Sequence, residues 1–236
     1  MSALWCLLLT LCFAGIGIVD DSFSLCNKKN KGLKAWHKFL AQMALGVILL
    51  MLFHFGIRPL SIWMSLLFIF IIVAGPNATN LTDGLDGLLA GSSIISLIGF
   101  MLFLNWTGFH DPAKLCLIMI IGLGWFLIFN FKPAKIYMGD TGSLAIGALM
   151  AGLCISAGNP WIIIPFGMIY ILETLSVIIQ VIYFKFTGIR VFLMAPIHHH
   201  LELMGFSELH TVYLLWGAGA AFSMLGLIGF VILQWL

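Results

Sequence analysis

The chain has 236 residues, 62% of them apolar, with 11 Lys/Arg against 9 Asp/Glu and a mean hydropathy of +1.12. A soluble globular chain is about 25% charged and this one is 8% charged, so it has too few charges to cover a water-facing surface and a soluble domain is excluded. A formal charge of +2 gives no basic field for nucleic acid, and the expected partner is a lipid bilayer.

A helix needs about 20 mainly apolar residues to cross the hydrocarbon. Runs near 2–19, 39–57, 60–76, 87–106, 113–131, 143–158, 160–184 and 210–234 meet that need and predict an all-α, polytopic membrane bundle of about eight spans. The run 60–76 is bounded by Pro59 and Pro76, and 143–158 is short and rich in glycine, so their ends are the softest. The first run reads as a true span: no Lys or Arg precedes it, and Asp20-Asp21 stand where a signal-peptide cleavage site would be. No repeat or low-complexity tract interrupts the pattern, which predicts one domain over 1–236. Cys6, Cys12, Cys26, Cys116 and Cys154 show neither CxxC spacing nor a secreted pattern and read as small hydrophobes.

Strict alternation puts the connections 20–38, 77–86, 132–142 and 185–209 on one side. That side carries nine of the eleven cations: Lys28, Lys29, Lys31, Lys34, Lys38, Lys132, Lys135, Lys185 and Arg190, against Arg58 and Lys114 opposite. By the positive-inside rule it is cytoplasmic. Most carboxylates crowd there too. Charge topology does not require this, so the cause is sought in chemistry.

Four polar clusters lie on that side. Asp20-Asp21 are expected to end the first helix. They could be plain solvated loop charges, and at a helix C-terminus they would cost up to about 1 kcal/mol against the macrodipole unless a cation lies nearby. In the segment 77–87 (NATNLTDGLDG), Asn80 or Thr82 could cap the next helix. Asp83 and Asp86 would share a face if helical, with Gly84 and Gly87 admitting a large ligand to the backbone. Tyr137-Met138-Gly139-Asp140-Thr141-Gly142-Ser143 could be a capped turn. Its carboxylate at a helix start also suits a hydrated Mg²⁺ held against phosphate, whereas an aspartic-protease reading of Asp-Thr-Gly lacks the β-rich scaffold it needs. His198-His199-His200 follow Pro196. Adjacent side chains cannot converge on one zinc, so the segment reads as a rigid loop donating hydrogen bonds to phosphate oxygens. Within the seventh run, Glu173, Ser176 and Gln180 form a polar stripe read as glue between helices. His54 and His110 read as interface residues.

NATNLTDGLDGL, FNFKPAKIYMGDTGSLAIG and ETLSVIIQVIYFKFTGIRVFLMAPIHHHLELMGFSE closely resemble the phospho-N-acetylmuramoyl-pentapeptide transferases, within the polyprenyl-phosphate N-acetylhexosamine-1-phosphate transferases. The resemblance runs from about residue 15 to the C-terminus. It implies an Mg²⁺-dependent enzyme of the bacterial cytoplasmic membrane, facing the cytoplasm. Its substrates would be UDP-MurNAc-pentapeptide and undecaprenyl phosphate, its products lipid I and UMP; a homodimer is an assembly the resemblance allows. Carried over by motif, Asp140 is the implied Mg²⁺ ligand, and Asp20, Asp21 and Asp140 are the catalytic carboxylates. The substrate-binding set is Lys38, Asn77, Asn80, Asp83, Asp86, Tyr137, His198, His199 and His200, with Tyr137 placed to stack on uracil and Lys38 to meet the diphosphate. Two departures stand out. The family has two further spans and a Thr-Pro-Thr-Met-Gly-Gly-like segment before its Asp pair, and Ser24 stands where a family lysine often does.

The implied chemistry is attack of the lipid phosphate on the β-phosphorus, with UMP leaving, by positioning and charge neutralisation. Asp20 is the candidate base, although a phosphate with a second pKa near 6 is already mostly ionised at pH 7. A two-step route through a phospho-Asp stays open. The alternatives are a sister enzyme using UDP-GlcNAc, and an ion-coupled transporter. The transporter would place its charges near the midplane, whereas here all but Glu173 are expected at the membrane edge.

Overall fold

The computed structural model describes residues 1–26 and 32–235. Lys28, Lys29 and Lys31, counted above toward the cytoplasmic charge, lie outside the described residues. The described residues contain no strand. They form α1 (Ser2–Cys26), α2 (Ala35–Gly56), α3 (Ile62–Thr82), α4 (Leu88–Trp106), α5 (His110–Asn130), α6 (Gly139–Ala157), α7 (Ile163–Phe166), α8 (Met168–Thr187), α9 (Ile197–Leu203) and α10 (Glu208–Trp235). Eight of these, α1 to α6, α8 and α10, are long and apolar enough to cross a membrane, so the expected all-α multi-pass architecture holds.

The helix ends differ from the sequence expectation in ways that matter for the site. α1 continues to Cys26, so Asp20 and Asp21 lie inside the helix and do not face its terminal carbonyls. Pro76 does not end the third span. α3 carries it internally and runs on to Thr82, which puts Asn77 and Asn80 on successive turns of one helix; a proline removes one backbone hydrogen bond, and here the chain tolerates that loss in a packed environment. α2 starts at Ala35, where the Lys34 carbonyl accepts from the His37 and Lys38 amides at 2.9 and 3.2 Å, so Lys38 is helical. The run 160–184 is broken. Pro160–Ile162 form a 3₁₀ turn, α7 follows, and the span begins only after Gly167, whose amide closes on the Ile163 carbonyl at 2.7 Å.

The chain divides into two compact units. The first comprises Met1–Asn80, Leu104–Leu115 and Met138–Trp161. Its centre is α6, buried along most of its length from Ser143 to Ser156. Without a hydrophobic drive between helices in lipid, close packing of small residues holds such bundles, and α6 supplies them. A Cβ on Gly147 would lie 2.5 Å from the Gly75 backbone of α3, and one on Gly152 would lie 2.6 Å from Cys6 Sγ on α1. α1 is tied to α2 by Trp5, whose indole N–H donates to the Leu49 carbonyl at 2.8 Å while its ring meets Phe53 edge-on at 4.8 Å. The outward faces carry exposed apolar side chains such as Leu4, Leu52, Phe55 and Phe70, as a lipid-facing surface requires.

The second unit comprises Leu81–Phe103, Cys116–Tyr137 and Ile162–Leu236. Leu88, Ile169, Val212 and Leu215 from α4, α8 and α10 form a buried core, against which Ile197 and Leu201 of α9 pack. Phe166 and Phe230 join Phe103 in an aromatic group with centroid separations of 4.7 to 6.3 Å. One buried pair of hydroxyls bridges α4 and α8, Ser93 Oγ lying 3.1 Å from the Tyr170 hydroxyl.

Candidate active site

In the first unit the polar residues gather where α1, α2, α3 and the start of α6 meet. The α6 N-terminus has no side-chain cap from its own Met138, which leaves its first amides without intrahelical acceptors. Asp21 of α1 fills that role from a distance. Its Oδ1 accepts from the Asp140 amide at 3.1 Å, and its Oδ2 accepts from the Thr141 amide at 3.0 Å and the Thr141 hydroxyl at 2.5 Å. A carboxylate at a helix N-terminus is favoured by the macrodipole, so the sequence-based objection to this pair disappears once its real neighbour is known. Gly139 makes the approach possible, with φ +65° and no Cβ, which would otherwise lie 2.9 Å from Asp21 Oδ2. Replacing Thr141 by Val should remove the short hydroxyl bond to a charged acceptor and lower stability by about 2 kcal/mol. An unchanged melting temperature in detergent would show that the bond contributes nothing.

Asp140 is thereby presented on the first turn of α6. Its Oδ2 pairs with Lys38 Nζ and its Oδ1 accepts from Asn80 Nδ2 at 2.6 Å, while the same Asn80 amide also reaches Ser143 Oγ at 3.0 Å. Asp20 accepts from the Leu33 amide at 2.8 Å, which holds Leu33, just before α2, against the carboxylate. Asn77 donates to Gln42 Oε1 at 2.6 Å and to the Val73 carbonyl at 2.7 Å. Lys38 and Gln42 are four apart on α2, hence on one face. The helix that pairs with Asp140 therefore also holds Asn77 one turn deeper. Sequence reasoning missed Gln42; its polarity inside an apolar run at that spacing from Lys38 was the available signal.

Carboxylate oxygens of Asp20, Asp21 and Asp140 lie within 4.8 Å of one another. With Lys38 as the paired cation, negative charge is in excess. Mg²⁺ takes one or two carboxylates and leaves its other positions to water and phosphate oxygens, so this donor set fits it. Asp21 is the poorest ligand of the three because its two oxygens already accept three hydrogen bonds from the start of α6.

In the second unit the structure corrects two expectations. Asp83 and Asp86 do not share a helical face; they stand in the turn 83–87 before α4. Asp86 Oδ2 accepts from the Ala134 amide at 2.9 Å and its own amide donates to Glu208 Oε1 at 3.2 Å, while Glu208 pairs with Lys132. Asn130 links the same two segments, accepting from the Gly87 amide at 3.1 Å and donating to the Ile136 carbonyl at 2.9 Å. Asp86, Asn130 and Glu208 thus tie the 131–137 loop to the 83–87 turn. Tyr137 at the end of that loop is 78% exposed, open to a stacking partner. The second correction concerns the His triplet. It is not a loop: the polar residues lie on α9, because Ile197 and Leu201, four apart, seat one helical face in the core. Helical rotation then separates the three rings. His198 is buried, with Nδ1 3.0 Å from Glu173 Oε2. His199 pairs with Glu202 at 2.9 Å, and His200 Nδ1 accepts from the Leu193 amide at 3.2 Å; both are half-buried.

The fold and this chemistry define a polytopic helical membrane protein with a lysine-paired acidic centre suited to phosphate substrates. Residues 3–158 match the family described as glycosyl transferase family 4. The chain is 42% identical to the phospho-N-acetylmuramoyl-pentapeptide-transferase of Listeria innocua, over 92% of this chain and 72% of that protein. It is 41% identical to the same-named protein of Limosilactobacillus reuteri, over 98% and 73%, and 43% identical to that of Limosilactobacillus fermentum, over 94% and 70%. The chain belongs to glycosyl transferase family 4.

Proposed function

We propose that the chain transfers phospho-MurNAc-pentapeptide from UDP-MurNAc-pentapeptide to undecaprenyl phosphate, yielding lipid I and UMP. The observation that carries this reading is the shared name of relatives matched over more than nine tenths of the chain. The Asp20, Asp21, Asp140 and Lys38 cluster supports it, because the reaction needs little covalent help and much control of charge. Eight alternating spans put Lys34, Lys38, Lys132, Lys135, Lys185 and Arg190 on one side, against Arg58 and Lys114 on the other. The charge bias supports a cytoplasmic site in the bacterial inner membrane.

An oxygen of the lipid phosphate forms the new bond to the β-phosphorus, the bond from that phosphorus to the bridging oxygen breaks, and UMP leaves with the electron pair. Lys38 offsets charge as the two anionic substrates approach. Asp20, half-buried beside Asp140, can take a proton from the lipid phosphate when that group arrives protonated. Asn80 keeps Asp140 from rotating away, and Asp21 fixes the backbone beneath it. Within the second unit, His199 and His200 carry hydrogen-bond donors of the kind a phosphorylated substrate takes, and Tyr137 presents an exposed ring face suited to a nucleobase. Mg²⁺ held by Asp140, with Asp20 alongside, would supply a compact positive charge to the diphosphate.

UMP release by the purified chain should require polyprenyl phosphate, Mg²⁺ and UDP-MurNAc-pentapeptide, with UDP-GlcNAc giving background only. Turnover of UDP-GlcNAc in place of the muramoyl substrate would assign the chain to the sister reaction.

A further inference from the structure

Glu173 has no part in the reaction outlined above, yet its surroundings are unusual. It lies in the second turn of α8 with 0% exposure, and the side chain it meets, His198, is 1% exposed. Glu173 Oε2 is 3.0 Å from His198 Nδ1 and 3.5 Å from the His198 amide. Among the described residues neither side chain pairs with a Lys or Arg. The other carboxylate oxygen, Oε1, and the far ring nitrogen, Nε2, are buried without hydrogen-bond partners.

Buried ions are kept only where donors satisfy them, and Glu173 Oε2 has two, the His198 ring and its amide. A buried N–H without an acceptor forfeits about 1–3 kcal/mol, and orphaned donors are rarer than under-used acceptors. The ring proton therefore belongs on Nδ1, where it has an acceptor, and Nε2 is left bare. The contact also serves a structural need. α9 is seven residues long and Pro196 gives it no side-chain cap, and helices this short depend on tertiary contacts. Ile197 and Leu201 supply the apolar contact, and Glu173 reaches across from α8 to the first turn. On its far side the His198 ring lies against the 83–87 turn: a Cβ on Gly84 would be 2.3 Å from Nε2.

We propose that Glu173 and His198 are positioning residues. The buried pair clamps α9 to α8 with His198 in the Nδ1–H form, and so sets where His199 and His200 stand relative to the Asp83–Gly87 turn. This deepens the reading of the triplet as a substrate-binding element and rests on it, but it removes His198 from the groups that touch substrate.

The test uses the full chain in detergent with ¹⁵N-labelled histidine, the His198 signals being identified by their loss in His198→Asn. The expected spectrum, without substrate, shows a protonated Nδ1 and a bare Nε2 for His198, and in Glu173→Gln a shift of the ring toward mixed tautomers. In the same variant, KM for UDP-MurNAc-pentapeptide should rise about ten-fold, within the roughly 10²-fold that a small misplacement of a positioned group can cost, with kcat changed less. A proton on Nε2 in the unsubstituted chain, or a Glu173→Gln variant with unchanged KM, would overturn the proposal. The spectrum is read without turnover. Absence of activity toward any UDP-sugar would thus refute the proposed reaction, while the tautomer would still decide the pairing.

Discussion

Asp140→Asn is expected to abolish Mg²⁺-dependent UMP release while leaving the protein folded. The variant keeps the backbone amide that Asp21 caps, and its side-chain oxygen can still accept from Asn80, so the first turn of α6 stays in place. What it loses is the negative charge that pairs with Lys38, and its new amide adds a donor where Lys38 already brings one. Removing one charge-organising group from a site of this kind typically lowers kcat by about 10² to 10³, or roughly 3–4 kcal/mol of transition-state stabilisation. The check is UMP release beside a detergent melting curve on the same preparation. Undiminished turnover would remove Asp140 from the centre; lost turnover with lost folding would show that its role is structural.

Gly17→Val should cost both folding and activity, and Gly15→Ala, two residues away, should cost neither. A Cβ on Gly17 would stand 2.4 Å from the Asp140 carbonyl oxygen and 2.5 Å from Thr141 Cα. These are backbone atoms at the start of a buried helix and cannot turn aside, so α1 and α6 would have to part at the level of Asp20, Asp21 and Asp140. Overpacking a tight contact costs about 1–3 kcal/mol. Each of the Asp21 bonds to α6 stretched by the separation would add about 1 kcal/mol. Gly15 has nothing within 4 Å of its ideal Cβ, and alanine there should leave stability unchanged or gain up to about 1 kcal/mol from helix propensity. Paired melting curves and UMP assays would decide. An active, stable Gly17→Val variant would mean that the two helices are not in the contact described.

The two glycines illustrate how far one-dimensional reading reaches. Both stand in the short Gly15-Ile16-Gly17 stretch of an apolar run, and nothing local distinguishes the one that faces a helix from the one that faces outward. The same holds for Asp20 and Asp21. Their placement looked unfavourable while the helix dipole they faced was taken to be their own; the relevant N-terminus belongs to α6, about 120 residues later. Pro76 suggested a boundary by its local chemistry, but tertiary packing carries α3 past it and delivers Asn80 to Asp140. Glu173 read as generic glue, since its partner, 25 residues on, sits on a helix that the sequence presented as a loop.

Composition and apolar run length alone determined the class of protein, the number of spans and the charge bias of its loops, because the bilayer imposes the same length and hydropathy on every crossing helix. The motif residues were also legible, since clustered polar groups in so apolar a chain are conspicuous. Only the tertiary structure decided which carboxylate caps and which pairs with Lys38, where helices touch through glycine, and which histidine is buried. Those assignments depend on distances between groups up to 146 positions apart in the chain, as for Cys6 and Gly152, which local propensity and spacing do not encode.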